Sequence, residues 1–276
     1  MDKNPVREKM ARGEATIGTW STLGDPAVSE LLSRCGLDWI TLDMEHNAFD
    51  FSGAVNFLRA MQGTDCVPFA RIPWNELTWI KRALDSGFLG VVVPDVRSRE
   101  EVAKAVRDAK YRPLGERGIG STRGMLVHGA DYVAKANDLT MLVCMIEHPD
   151  AIRNIDDMLS VKGLELVFVG PNDLASSMGL PLGLDNKHPD HVAAVAKVLA
   201  AGKRHGVPVG IHCVDGNEVA RRIEQGFQWM PIASESRVLR WAMEQQLKDA
   251  KAKGVRAVGT AATGVAKSGD APKTFY

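Results

Sequence analysis

The sequence predicts a TIM-type (β/α)₈ barrel of the α/β class, and three observations carry that expectation. Eight apolar runs of strand length alternate with helix-forming segments along residues 1–253. The runs are apolar throughout instead of alternating, as parallel strands covered on both faces require. The chain has 276 residues, 45% hydrophobic and 25% charged, which suits one large core with no second domain.

A polar start carries a short helix near Pro5 to Arg12, and Thr16 to Thr22 is the first strand. Pro26 opens a helix running to Cys35, with Asp25 placed to cap it. Trp39 to Glu45 is strand two, followed by a helix from Ser52 to Met61; Cys66 to Ile72 is strand three, followed by a helix from Glu76 to Ser86. Strand four, Gly90 to Val96, leads into a charged amphipathic helix from Ser98 to Lys110. The Gly- and Arg-rich stretch Tyr111 to His128 is long for a connection in a compact domain and reads as a candidate lid or phosphate clamp. Beyond it come a helix from Ala130 to Asn137, strand five from Thr140 to Glu147, and strand six from Glu165 to Gly170. A short helix and loop, Asp173 to Lys187, precede a helix from His188 to His205. Pro208 to Cys213 is strand seven, Asn217 to Gln225 a helix, Phe227 to Ala233 strand eight and Ser234 to Lys253 the last helix. The remaining tail, 254–276, has few large apolar groups and is expected to be flexible.

Lys plus Arg and Asp plus Glu number 34 each, so no net field recruits nucleic acid or an anionic membrane. Cys35, Cys66, Cys144 and Cys213 form no CxxC and are expected to be reduced and buried. With no apolar leader at the N-terminus and no run of membrane-spanning length, the expected location is the cytoplasm.

In such a barrel every strand's C-terminal end faces one site. Glu147 and Asp173 follow neighbouring strands there, and two carboxylates that close are most simply explained by a shared cation with oxygen ligands, a structural cap being the alternative. The same edge offers Trp20, Asp43, Glu45, His46, Arg71, Asp95 and His212. A carboxylate three residues before His46 could fix its tautomer and raise its basicity, which makes Asp43 and His46 a candidate base. The turn Gly170-Pro171-Asn172-Asp173-Leu174 enters a helix, and N–H groups at residues 172 to 174 could bind a carboxylate or phosphate. Asp95 could pair with Arg71 or Arg97, and Arg117 and Arg123 could hold a second anionic group or be solvated. No lysine falls at a strand end, since Lys81, Lys104 and Lys110 lie on helices, so an imine route is disfavoured.

Gly18-Thr-Trp20, Asp43-Met-Glu-His46, Arg71-Ile-Pro73, Val93-Pro94, Gly118-Ile-Gly-Ser121, Ile146-Glu147 and Gly170-Pro-Asn-Asp-Leu174, in order and at matching spacing, resemble the HpcH/HpaI family of class II pyruvate aldolases, over about residues 5 to 250. The resemblance implies a barrel of the phosphoenolpyruvate/pyruvate type, whose members commonly form homohexamers, trimers of dimers that exchange the last helix. It implies a divalent cation, Mg²⁺, Mn²⁺ or Co²⁺, on Glu147 and Asp173. Pyruvate would chelate that ion, its carboxylate held by the amides of Gly170 to Leu174 and its ketone oxygen by Arg71, with Trp20 lining the site and His46, oriented by Asp43, moving protons. The activity implied is reversible cleavage of 4-hydroxy-2-oxo acids to pyruvate and a small aldehyde. The alternative uses the same enolate in an oxaloacetate-type decarboxylase or a CoA-thioester lyase. Met145 stands where the resemblance expects glutamine, and Asp95 and His212 are not expected at their strand ends.

Overall fold

Short apolar runs satisfy their backbone polar groups only by pairing sideways, and all eight do so in chain order. In the computed structural model, which describes residues 3–252, the strands are β1 (Thr16–Ser21), β2 (Trp39–Asp43), β3 (Val67–Arg71), β4 (Gly90–Val93), β5 (Met141–Ile146), β6 (Leu166–Val169), β7 (Val209–Ile211) and β8 (Trp229–Ser234). They form a closed parallel barrel in which β8 returns to β1. Between them run α2 (Pro26–Leu32), α3 (Phe51–Ala60), α4 (Leu77–Asp85), α5 (Arg99–Ala109), α6 (Thr122–His128), α7 (Tyr132–Leu139), α8 (Pro149–Arg153), α9 (Ile155–Leu159), α10 (Pro171–Ser177), α11 (Pro189–His205) and α12 (Gly216–Gln225). The first helix is α1 (Pro5–Ala11) and the last is α13 (Glu235–Ala252). Among the described residues no helix is long and apolar enough to cross a membrane.

Strand side chains alternate between faces, and here the period-two rule splits the interior into two cores. Met141, Val143 and Met145 of β5 and Leu166 and Phe168 of β6 fill the barrel with Trp20, Trp39, Phe69 and Trp229. Leu142, Cys144, Ile146, Val167 and Val169 face the helices. Trp39 and Trp229 stack at 3.7 Å in the lumen, and bulk of that size needs compensating space. Glycine supplies it: a Cβ on Gly18 would stand 2.1 Å from the Trp39 ring, and one on Gly90 would stand 2.0 Å from the Phe69 ring. At the N-terminal end of the strands α1 plugs the barrel with Val6 and Met10, and the Asn4 amide donates to the Leu139 carbonyl at 3.0 Å.

Three expectations need correction. The stretch 111–128 is a helix-to-strand connection, so it lies at the N-terminal end of the barrel, away from the strand ends that carry a site. There it is pinned instead of open. The Arg117 guanidinium is buried, donates to Asp85 Oδ1 at 2.7 Å and stands 4.6 Å over the Tyr111 ring, while Arg123 donates to the Ser86 carbonyl. A lid or phosphate clamp is therefore excluded, and α6, capped by Ser121, ends the segment. Strand seven is shorter than expected, because Cys213 pairs only through an isolated bridge to Ile232. Cys66, Cys144 and Cys213 are buried, but Cys35 is exposed after α2. The expected tail, 254–276, lies outside the described residues.

Candidate active site

Inward parity decides which polar groups meet. Trp39 and Asp43 occupy inward positions of β2, Phe69 and Arg71 the matching positions of β3, and the register sets Asp43 beside Arg71. The guanidinium grips that carboxylate in a fork, Nε to Oδ1 at 2.8 Å and Nη2 to Oδ2 at 2.7 Å. Its Nη1 lies 3.3 Å from Glu45 Oε2, and the Trp20 ring supports the guanidinium at 4.6 Å.

Glu147 continues the inward parity of β5 and is only 8% exposed. Its Oε1 accepts the Asp95 N–H at 2.6 Å. Asp95 takes φ +48° to make that bond, and the other non-glycine residue with positive φ, Ala233, also ends a strand at this edge. Backbone strain of this kind persists where surrounding structure over-determines it. Across from Glu147 stands Gly170, where a Cβ would fall 2.6 Å from Glu147 Oε2, so the missing side chain is what gives the carboxylate its place. Asp173 sits in the first turn of α10, just beyond. Burial first, then the Asp173 charge, pushes the Glu147 carboxyl up to about 8. Burial pushes Glu45 up to about 7 against the pull of Arg71, with Asp43 and Asp173 adding to the rise.

At this edge lies a cavity of about 590 Å³ lined by Trp20, Asp43, His46, Arg71, Gly170 to Asp173 and His212 among others. Glu147 is not part of that lining but feels the charges of Asp173 and Arg71, which are. Two expected roles do not match the geometry. Asp43 accepts only the backbone N–H of His46, at 3.4 Å, because its two oxygens are taken by Arg71 and the Asn47 amide. The half-exposed His46 ring instead has its Nε2 3.6 Å from Glu45 Oε2, so Glu45 is the carboxylate beside the histidine. Leu174 is buried, and its N–H donates to the Gly170 carbonyl at 2.9 Å, which removes it from the donors expected at 172 to 174. Asp95 pairs with Arg97 at 2.7 Å instead of Arg71, and His148, next to Glu147, accepts the Asp150 N–H as the cap of α8.

Residues 16–242 match the model of the HpcH/HpaI aldolase/citrate lyase family. The chain belongs to that family. It is 35% identical over 248 residues, 89% of this chain and 96% of the relative, to the 5-keto-4-deoxy-D-glucarate aldolase of Salmonella arizonae. Among solved structures it resembles an HpcH/HpaI aldolase/citrate lyase family protein from Burkholderia cenocepacia, with a TM-score of 0.85, 30% identity, and 90% of this chain and 100% of the other covered. The HpcH/HpaI aldolase of Desulfitobacterium hafniense gives a TM-score of 0.83 at 29% identity, covering 92% of this chain and 98% of the other. As a member of the HpcH/HpaI family the chain is an aldehyde-lyase.

The raised carboxyls make this edge of the HpcH/HpaI barrel sensitive to pH. Glu147 and Glu45 ionise near 4.5 when unperturbed and near 8 and 7 in the fold, so between those values the folded chain holds protons the unfolded chain has released. Their contribution to stability is fully present below the unfolded value and is lost as pH rises through the folded ones. With a chelator present, the thermal midpoint should fall as pH climbs from about 5 to about 8. Melts of Glu147→Gln should show a shallower decline; an unchanged slope would remove Glu147 as its source.

Proposed function

We propose that this family member is a metal-dependent class II aldolase that reversibly cleaves a 4-hydroxy-2-oxo acid to pyruvate and an aldehyde. The observation that carries the reading is that the fork-held Arg71 guanidinium and Asp173 line one cavity, with the Glu147 carboxylate within electrostatic reach of both. Cleaving the C3–C4 bond sends its electron pair through C3 onto the C2 oxygen, and charge developing there needs fixed positive groups. Arg71 would donate to that oxygen while Asp43 holds the guanidinium in plane. The 4-hydroxyl proton must leave as C4 becomes the aldehyde carbonyl. His46, with Glu45 beside it, would take that proton and return one to C3, giving pyruvate. Asn172 and Asp173, ahead of the hydrogen-bonding ladder of α10, would face the pyruvate carboxylate.

The donor set fits a hard divalent cation such as Mg²⁺, Mn²⁺ or Co²⁺. Among the described residues no three His, Cys, Asp or Glu side chains form a ready metal cage. Two carboxylates with open cavity beside them suit an ion that completes its shell with water and substrate oxygens. When bound, such an ion polarises the C2 ketone oxygen. The expected result is that the protein exchanges the methyl protons of pyruvate for deuterium in D₂O, that EDTA stops the exchange, and that Mg²⁺, Mn²⁺ or Co²⁺ restores it. Exchange that survives chelation, with borohydride trapping an adduct on the protein, would exclude this mechanism. The resemblance to 5-keto-4-deoxy-D-glucarate aldolases supports a hydroxylated sugar-acid substrate. Association into hexamers would draw on α13, where Val238, Leu239, Trp241, Met243 and Leu247 are each about half exposed.

A further inference from the structure

The cavity is larger than pyruvate needs, and its two sides differ. On one side Asp43, Arg71 and Asp173 line it from β2, β3 and the first turn of α10, whereas the opposite arc is built from β1, β7, β8 and the first turn of α13. If pyruvate occupies the first side, the acceptor half of the substrate faces the second. Most polar groups of that arc are already committed. Thr22 Oγ1 and Ser236 Oγ bond each other at 2.6 Å, and the buried Glu235 carboxylate takes the N–H groups of Thr22 and Leu23 at 2.5 and 2.7 Å.

His212 is different. It continues the inward parity of β7, next to Gly210, and Trp20 reaches it from β1 with Nε1 2.7 Å from His212 Nδ1. An indole N–H can only donate, so Nδ1 accepts and the neutral ring carries its proton on Nε2, on the side away from Trp20. Among the described residues Nε2 meets no protein partner. Burial, with the charges of Arg71 and Arg237 behind it, pushes the imidazole down to about 3, which favours the neutral ring with its single N–H on Nε2.

We infer that His212 is the specificity-determining residue for the acceptor half of the substrate, held by Trp20 so that its Nε2–H donates to an oxygen carried on the carbon chain of the aldehyde. This rests on the aldolase reading above and names the residue through which the outer site selects hydroxylated aldehydes over alkyl aldehydes of the same size. The discrimination comes from the donor itself, since an alkyl group against it would leave a buried N–H without a partner.

Glycolaldehyde and propionaldehyde differ by a hydroxyl in place of a methyl group and test the inference directly as acceptors with pyruvate. The protein should favour glycolaldehyde in kcat/KM, and His212→Leu should shrink that preference about 10- to 100-fold, mainly through the KM of glycolaldehyde. His212→Gln, which can still present an N–H, should keep part of the preference, and Trp20→Phe should weaken it by freeing the tautomer. Equal kcat/KM for the two aldehydes, or a ratio that His212→Leu leaves unchanged, would overturn the inference. Should His212→Leu not fold, the ratios for His212→Gln and Trp20→Phe decide the matter in the same way. Deuterium exchange into pyruvate by the unaltered protein keeps the two readings apart. Exchange with no aldehyde preference sinks the role of His212 alone, and absence of exchange with metal present sinks the aldolase reading beneath it.

Discussion

Replacing Arg71 with alanine should lower kcat/KM for pyruvate release by about 10³-fold or more and also weaken the fold. The catalytic part follows from position, because the guanidinium lines the cavity beside Asp173 and its donors are set by the Asp43 fork before substrate arrives. Losing a single oxyanion donor typically costs about 10²- to 10³-fold, and a guanidinium offers more than one. The structural part follows from burial. Asp43 is 2% exposed, and removing one partner of a buried pair costs about 3–5 kcal/mol. The lower end applies here, since the Glu45 and His46 N–H groups and the Asn47 amide still reach the carboxylate. Arg71→Lys separates the two effects: charge returns but the fork does not, so urea midpoints should recover further than the rate. Near-full activity in Arg71→Ala would show that the guanidinium does not face the developing charge.

Glu147→Gln should abolish metal-dependent activity and yet leave the folded protein as stable as before or more so. The carboxylate is crowded by Asp173 and Glu45 in a buried place, and its Oε1 already serves the Asp95 N–H, a bond an amide oxygen can keep. The fold already pushes this carboxyl toward its neutral form, so a neutral amide takes its place without orphaning a donor and, at pH above about 8, without the repulsion, the usual trade between stability and function at a site. Binding titrations with Mn²⁺ should show the loss of affinity, and thermal melts without metal the retained stability. Gly170→Ala reaches the same carboxylate from outside, since the added Cβ would stand 2.6 Å from Glu147 Oε2. A Glu147→Gln protein that binds Mn²⁺ normally would move the metal elsewhere.

Much of the site was legible as a list of residues but not as a set of pairs. Counting by twos along the strands already aims Asp43, Arg71, Glu147 and His212 into the barrel. The same count includes Glu45, two residues past Asp43, and that was the available signal for the carboxylate now found beside His46. Sequence proximity favoured Asp43 for that role; the β2–β3 register gave its carboxylate to Arg71 instead. The long stretch 111–128 differs from its expectation for a related reason. Its length suggested a working loop, whereas its place between a helix and the next strand sends it to the end of the barrel that holds α1.

The sequence by itself determined that this chain closes eight strands into a barrel, because continuous apolar runs followed by helices leave little other way to cover both faces of a parallel sheet. It also determined the kinds of group at the strand ends: acids, a guanidinium and imidazoles. Only the tertiary structure decided which of them touch. Register set Asp43 against Arg71, the missing Cβ of Gly170 seated Glu147, and closure of β8 onto β1 brought Trp20 to His212. Periodicity along one strand fixes the direction a side chain points, and contacts between distant strands are set by how the whole barrel packs.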